Sequence, residues 1–396
     1  MVKIRYHQRK GSIKNISYER LFAICYFMNM LLRPIIVLFS SYSTIILMFA
    51  VSVMLVIFIL KQGTSINRNL IGNILFISSI TMLFLINYLV RPNAWTVTYF
   101  TSFVIAGVVP LLFLARVKQY EIVLYEWSKL AVVVGVLFVL DPLFQYRWSG
   151  GYMPFGFTVM LPAFTGSLVL WMHFKEKYGW MLVLFFIELF ICGNKGTLLT
   201  AIVIFIIANL FLNDKVKFSF GKFLGITICG IGIFIIRESI IDGMIQIAKA
   251  LSLSSYSLRT LKIMLGDNAD YIYDARLDIW NVAISKIKEG GLFGSGIGCF
   301  TSFYGTHPHN FFLDIGMTFG IVGLVISIFL ITWCLIKIIR SEDKEKKIFF
   351  GMFLFMWIVP LMISLTFWQH APFWCFLGIL FTDTKNKNYI RGEFNR

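Results

Sequence analysis

The stretch NFFLDIGMTFGIVGLVISIFLITWCLIK, residues 310–337, carries one charge, Asp314, before the lysine that closes it. At about 1.5 Å per residue, a helix of that length exceeds the roughly 30 Å of a hydrocarbon core, so the segment reads as a membrane span. Outward from it the chain repeats the pattern. Of its 396 residues 58% are apolar, 17% aromatic and 14% charged, with 41 Phe and a mean hydropathy of +0.79. A soluble core cannot bury that much apolar surface, and ordinary domains are near a quarter charged. Disordered, collagen-like and disulfide-framework classes are excluded on the same grounds.

Apolar runs of about 20 residues predict about twelve spans. In the first half they lie near 19–39, 43–61, 70–90, 97–116, 122–141 and 156–174, and in the second near 178–192, 196–212, 219–236, 310–337, 347–366 and 371–383. The runs at 178–192 and 371–383 are short, and Arg33-Pro34 interrupts the first run, where Pro34 marks a kink or a loop. The expected fold is all-α, a polytopic membrane protein of about 12 transmembrane helices.

The formal charge of +16 suggests nucleic acid at first sight. Nucleic-acid binding needs Lys and Arg on one folded face, whereas here they are scattered between apolar runs. With both termini cytoplasmic, about 24 of the 36 Lys and Arg fall in the tails and even-numbered connections, among them Arg116, Lys118, Lys175, Lys177, Lys337 and Arg340. The short outer connections hold only Arg91, Arg147 and Lys195. The basic charge is therefore mostly topology, and no nucleic-acid partner is expected. About twenty polar residues precede the first run and no small-residue cleavage pattern follows it, so the first span is expected to stay in the protein. The six Cys occur singly, which supports neither a zinc nor a disulfide framework.

These boundaries divide the chain into spans one to nine (1–236), one large external loop between helices 9 and 10 (237–309), and spans ten to twelve with a cytoplasmic tail (310–396). All other connections are short, so function is expected in the loop. The first part of the loop, IDGMIQIAKALSLSSYSLRTLKIML, has helical spacing and reads as an amphipathic interfacial helix. Further on, Asp274 can cap a helix whose Arg276 and Trp280 share a face, running through Lys286 and Lys288 to Glu289-Gly290-Gly291. Then come Leu292-Phe293-Gly294-Ser295-Gly296-Ile297-Gly298 and Thr306-His307-Pro308-His309-Asn310, which opens the tenth span. The glycine run lacks the preceding strand of a dinucleotide loop, so tight backbone packing or a flexible loop is its default reading.

His7, His173 and His370 are isolated and read as solvated or structural, but His307 and His309 stand two apart at a membrane entrance. Three readings stand for that pair. A metal site needs a third ligand, for which Asp314 is the near candidate. A structural pair is the second reading. Acid–base or substrate-orienting use is favoured, since imidazole titrates near neutrality and Asn310 can orient it or bind a hydroxyl. A second polar island is Glu188 with Gly193-Asn194-Lys195-Gly196-Thr197, where a structural Glu188–Lys195 pair and a functional one are equally open. Arg33 and Asp141 are further intramembrane candidates, read as structural, while Arg91 and Arg147 are candidates for binding anionic groups.

The order of these motifs resembles the O-antigen ligase and Wzy-type polysaccharide polymerase superfamily. Its members have about twelve spans, a large external loop between the ninth and tenth, and in that loop Arg-x3-Trp, Gly-x-Gly and then His-Asn opening a span. Here the pattern is Arg276-Leu-Asp-Ile-Trp280, Gly294-Ser295-Gly296 and His309-Asn310, with Gly316, Gly320 and Gly323 following. The resemblance implies inverting glycosyl transfer without metal or cofactor, on the outer face of the bacterial cytoplasmic membrane. The donor would be an oligosaccharide on undecaprenyl diphosphate. Arg276 would then neutralise the departing diphosphate. His309 would take the acceptor proton beside Asn310, and Trp280 would stack on a sugar or pack its helix. His307 is a further substrate-binding candidate, although the pattern needs one His. Where relatives carry Ser-Arg-Gly this chain has Asn194-Lys195-Gly196, and Lys195 keeps the charge without the bidentate fork.

Polymerase is favoured narrowly over ligase, which would transfer the glycan to lipid A core or another envelope acceptor. The partners implied are the lipid-linked oligosaccharide and the bilayer, with a chain-length regulator and a flippase as proteins it would work beside. A transporter or flippase is the rival from another class, and against it stand the single large loop and the absence of repeat halves. A nucleotide-sugar enzyme would want an Asp-x-Asp site, and none occurs.

Overall fold

Apolar runs long enough to span a membrane must close their backbone hydrogen bonds internally, and they do so here as helices. The computed structural model describes residues 16–39, 43–62, 67–191, 195–211, 237–250 and 269–382. The helices run α1 (Tyr18–Leu38), α2 (Ser43–Gln62), α3 (Arg68–Val90), α4 (Ala94–Leu114), α5 (Tyr120–Phe138), α6 (Tyr152–Met172), α7 (Gly179–Ile191), α8 (Lys195–Phe211), α9 (Arg237–Ala250), α10 (Ala269–Gly290), α11 (Cys299–Tyr304), α12 (Phe311–Arg340), α13 (Lys344–Ile363) and α14 (Ala371–Phe381). The described residues contain no strand, and 7 of their helices are long and apolar enough to cross a membrane. Three shorter apolar helices are α7, α8 and α14. The run at 219–236, His7 and, in the polar island, Gly193 and Asn194 lie outside the described residues.

Local chemistry explains several departures from the sequence reading. Pro34 does not break the first run, since α1 continues through it to Leu38. Asp274 does not stand at a helix start, because α10 begins five residues earlier at Ala269. In α4 and α6 a π turn, Val104–Val108 and Phe155–Met160, lies just ahead of Pro110 and Pro162. Each proline lacks the N–H of the ordinary ladder, and the helix widens where that bond is lost. In α13 the proline is used differently. Pro360 leaves the Met356 carbonyl without its helical partner, and the buried His370 donates Nε2–H to it at 2.9 Å. His370 is thus structural, and it fixes the 364–370 connection over the end of α13.

An aromatic seam holds α1 against α13, with ring centroids of Phe22 and Phe349 at 5.6 Å and of Tyr26 and Phe353 at 5.6 Å. Both pairs are four residues apart, so the two helices run parallel in register. Elsewhere small residues bring backbones close: a Cβ on Gly166 would meet the Ser128 carbonyl at 2.7 Å. Leu75, Leu83, Leu89, Val325 and Phe329 face outward, the inverted surface of a protein solvated by lipid.

The connections segregate to two ends. At one, the buried Glu19 carboxylate accepts the N–H groups of Lys118 and Gln119, and Arg20 pairs with Glu126 at 2.9 Å. Arg116 donates to Gln62 there, and His173 lies 3.8 Å from Glu345. The opposite end carries 87–96, 141–151, 291–310 and 364–370.

At that opposite end α12 is broken. Gly320 (φ 66, ψ −159) interrupts it, and the 291–296 loop inserts its backbone into the gap. Ser295 N–H donates to Met317 C=O at 2.7 Å and Gly296 N–H to Thr318 C=O at 3.1 Å, while Val322 N–H donates to Leu292 C=O at 3.2 Å. A Cβ on Gly294 (φ 71) would lie 2.5 Å from Gly320 N, and one on Gly320 would collide with the Leu292 carbonyl and Gly294 N. The stretch 321–340 alone rises about 30 Å, one hydrocarbon thickness. Within the glycine run Gly294 packs backbone on backbone, while Gly296 lies against the Asn87 side chain and Gly298 against those of Trp95 and Asn93, which is the tight-packing arm of its default reading.

Gly320→Ala is expected to lower the thermal midpoint in detergent and raise hydrogen exchange across 291–298, since an L side chain there meets both a positive φ and backbone atoms. Gly351→Ala in α13, where a Cβ meets nothing within 4 Å, is the control and should be neutral or slightly stabilising. Equal behaviour of the two variants would contradict this account of the break.

Candidate active site

Five residues singled out in the sequence converge. Arg276 and Trp280 lie one turn apart on α10, both half-buried. Trp280 Nε1–H donates to the Pro308 carbonyl at 3.0 Å, which ties α10 to the loop before α12. The tie gives Trp280 a positioning role. Asn310 is the N-cap of α12: its Oδ1 accepts from Phe312 N–H at 3.0 Å and Leu313 N–H at 3.2 Å. With the oxygen so used, only its amide NH2 is left to offer a substrate.

Between them lie the two histidines, with ring centroids 4.3 Å apart. Both face one carbonyl, that of Ser364 at the end of α13, His307 through Nε2 at 2.8 Å and His309 through Nδ1 at 3.1 Å. A carbonyl only accepts, so His307 carries its proton on Nε2 and His309 on Nδ1. The lone pair of His309 is therefore at Nε2, where the Thr306 hydroxyl donates to it at 3.2 Å. His309 holds a left-handed backbone (φ 54), rare for a residue with a side chain and the kind of strain that gathers at functional positions. The buried carboxylate of Asp314 accepts from Thr366 Oγ1 at 2.8 Å and so steadies the segment that presents the Ser364 carbonyl.

The electrostatics keep the pair neutral. Burial, then the neighbouring His307 and the Arg276 charge, push the His309 pKa down to about 4 against a weaker upward pull from the Ser364 carbonyl. Burial lowers that of His307 as well. Burial also lowers the Arg276 pKa, yet a guanidinium stays charged at neutral pH. The arrangement is a neutral imidazole with a directed lone pair near a partly desolvated cation.

The remaining candidates lie elsewhere. Arg91, at the end of α3, donates to the Gly294 carbonyl at 3.1 Å, so it anchors the glycine loop. Arg147 is exposed on the 145–150 turn. The Lys195 side chain, and with it the Glu188–Lys195 pairing, lies outside the described residues. Among the described residues no three His, Cys, Asp or Glu side chains converge as a metal set, and the Asp314 carboxylate is engaged by Thr366.

Sequence reasoning missed Thr306, Ser364 and Thr366, and it missed the clamp on the glycine loop. Asn87 Oδ1 accepts Ile297 N–H at 2.7 Å, while Asn93 Nδ2 and Thr96 Oγ1 both donate to Ile297 C=O. An Asn within an apolar run was the available signal, since such a group is costly in a span unless it is bonded.

A polytopic membrane protein with a polar site at one end of its bundle is the class these features define. Residues 180–328 match the family model described as O-antigen ligase, which supports the resemblance to the O-antigen ligase and Wzy-type superfamily, a family of glycosyl-transferring enzymes. No curated protein and no solved structure matches the chain.

The depressed pKa of His309 has a definite sign. Its base form predominates above about 4, where half is protonated, so kcat/KM should hold level from pH 7 down through 6 and halve only near pH 4. Stability behaves differently. At His309 the unfolded chain binds more protons than the folded one between the folded value and the ordinary 6.5, so the stability His309 contributes, read as the difference in thermal midpoint between the wild type and His309→Gln, should fall as pH drops through that window and stay level above it. A rate that halves near pH 6.5, or a difference that does not change down to pH 4, would contradict the neutral imidazole.

Proposed function

We propose that the protein polymerises oligosaccharide repeat units carried on undecaprenyl diphosphate, by inverting glycosyl transfer without a metal at the outer face of the bacterial cytoplasmic membrane. The observation that carries this reading is the lone pair of His309 Nε2, held unprotonated near Arg276 beside the start of a membrane helix. An acceptor hydroxyl takes the place of Thr306 at Nε2 and attacks the anomeric carbon of the donor. The bond from that carbon to the phosphate oxygen breaks, the undecaprenyl diphosphate leaves with the electron pair, and the hydroxyl proton passes to His309. Arg276 balances the charge that builds on the departing phosphate. The N-terminus of α12 directs its positive end toward the same region. The excess of Lys and Arg at the Glu19 end supports a cytoplasmic position for that end and an external one for the site.

Transfer to a separate envelope acceptor, as a ligase performs, is the second reading, and the description of the matching family model favours it. The test is an assay of the purified protein in detergent with lipid-linked repeat units, resolved on a gel with and without a separate acceptor. A ladder from repeat units alone is expected, whereas transfer that requires the other acceptor would establish the ligase. His309→Ala and Arg276→Ala should each abolish product while leaving the protein abundant and folded, and a chelator should have no effect. Product from both variants would sink the site, and loss on chelation would revive the metal reading of the histidines.

A further inference from the structure

A second guanidinium stands at the same end of the bundle without an assigned task. Arg33 lies two turns beyond Tyr26 on α1, and the parallel seam with α13 places it level with Pro360. Counted along the helix axis alone, the same register reaches Ser364, whose carbonyl holds both histidines, one turn or about 6 Å further out.

Its surroundings are unusual for a cation in a span. The guanidinium lies flat on Gly150 (φ 85): a Cβ there would meet Nη2 at 2.6 Å and Cζ at 3.0 Å. Among the described residues its buried Nε has no hydrogen-bond partner, and no carboxylate lies within ion-pair distance of it. Asp141 is the nearby acid, but its two oxygens are already engaged by Trp148 N–H at 2.9 Å and Ser149 N–H at 2.8 Å. The turn between these residues holds Gln145 (φ 55) and Tyr146 (φ 59) in left-handed backbone, a costly shape that delivers Gly150 to the guanidinium. Asp141 thus acts on Arg33 through its charge and without contact, and a cation in a span usually marks a cavity, a pairing or a ligand path, where a planar fork fits phosphate oxygens in pairs.

We propose that Arg33 binds the diphosphate of the lipid-linked donor, below the histidine pair and distinct from Arg276. The proposal rests on the glycosyl-transfer reading for the identity of its ligand, and its test does not require transfer. Geranylgeranyl diphosphate and geranylgeranyl monophosphate are the probes, titrated against the purified full chain in detergent with and without excess phosphatidylglycerol.

Arg33→Ala should weaken diphosphate binding about ten- to hundredfold, the loss of a charge-assisted bidentate contact, and weaken monophosphate binding much less. Arg33→Lys should fall between, and Gly150→Ala, which pushes the guanidinium off its seat, should weaken the diphosphate in the same direction. Wild-type binding should survive phosphatidylglycerol. If Arg33→Ala or Arg33→Lys lowers only the thermal midpoint and leaves diphosphate affinity unchanged, the residue merely braces the 141–151 turn and the proposal falls. It falls as well if phosphatidylglycerol displaces the probe, which would assign Arg33 to a lipid headgroup, or if the wild-type chain binds no diphosphate. Binding that depends on Arg33 in a protein that transfers no glycan would keep the site and overturn the transfer reading instead.

Discussion

Two backbone hydrogen bonds, from Ser295 to Met317 and from Gly296 to Thr318, govern the end of the molecule that carries the histidines. They join a loop to an interrupted helix, and they form only because Gly294 and Gly320 let two backbones meet without a Cβ between them. The loop and the helices that meet it are positioned from that junction. It fixes where α10 ends, and so where Arg276 and Trp280 face. On its far side Asn87, Asn93 and Thr96 take the Ile297 peptide, so α3 and α4 share the same clamp. The peptide groups of Gly294, Ser295, Gly296 and Ile297 are thus bonded within the protein, which lets irregular backbone pack against apolar helices.

The chemistry is arranged by a second backbone group. Ser364 C=O faces two imidazoles at once, and its inability to donate sets both tautomers. That carbonyl is held from two sides, by Thr366 on Asp314 and by His370 on the carbonyl that Pro360 leaves free. A proline in α13, a buried carboxylate in α12 and a buried imidazole therefore converge on the direction of one lone pair at His309. None of the three needs to touch a substrate to matter.

Much of this was legible in the sequence. Every apolar run other than 219–236, which lies outside the described residues, coincides within a few residues with a helix, and 7 of these helices are long and apolar enough to cross a membrane. The spacing of Arg276 and Trp280 placed both on one face, and the order of Arg, Gly and His motifs pointed to the family that the 180–328 match supports. The failures share a physical cause. Gly320 sits in an unbroken apolar run, where hydropathy does not register a break. Ser364 acts through its main chain, which no side-chain motif encodes. Arg91 was read as an anion binder from charge and position, and charge alone gave no sign that one of its nitrogens also holds a carbonyl 203 residues away in the chain. Asn310 was read for its chemistry, and its oxygen turned out to serve the helix start.

The central claim is that His309 is kept neutral, with its proton on Nδ1 and its lone pair on Nε2. The most direct measurement is nitrogen-15 spectroscopy of histidine-labelled protein in lipid nanodiscs between pH 5 and 8, with His309→Gln to assign the signals. The account predicts one protonated Nδ1 and one unprotonated Nε2 throughout that range. An imidazolium at pH 7, or the opposite tautomer, would contradict it.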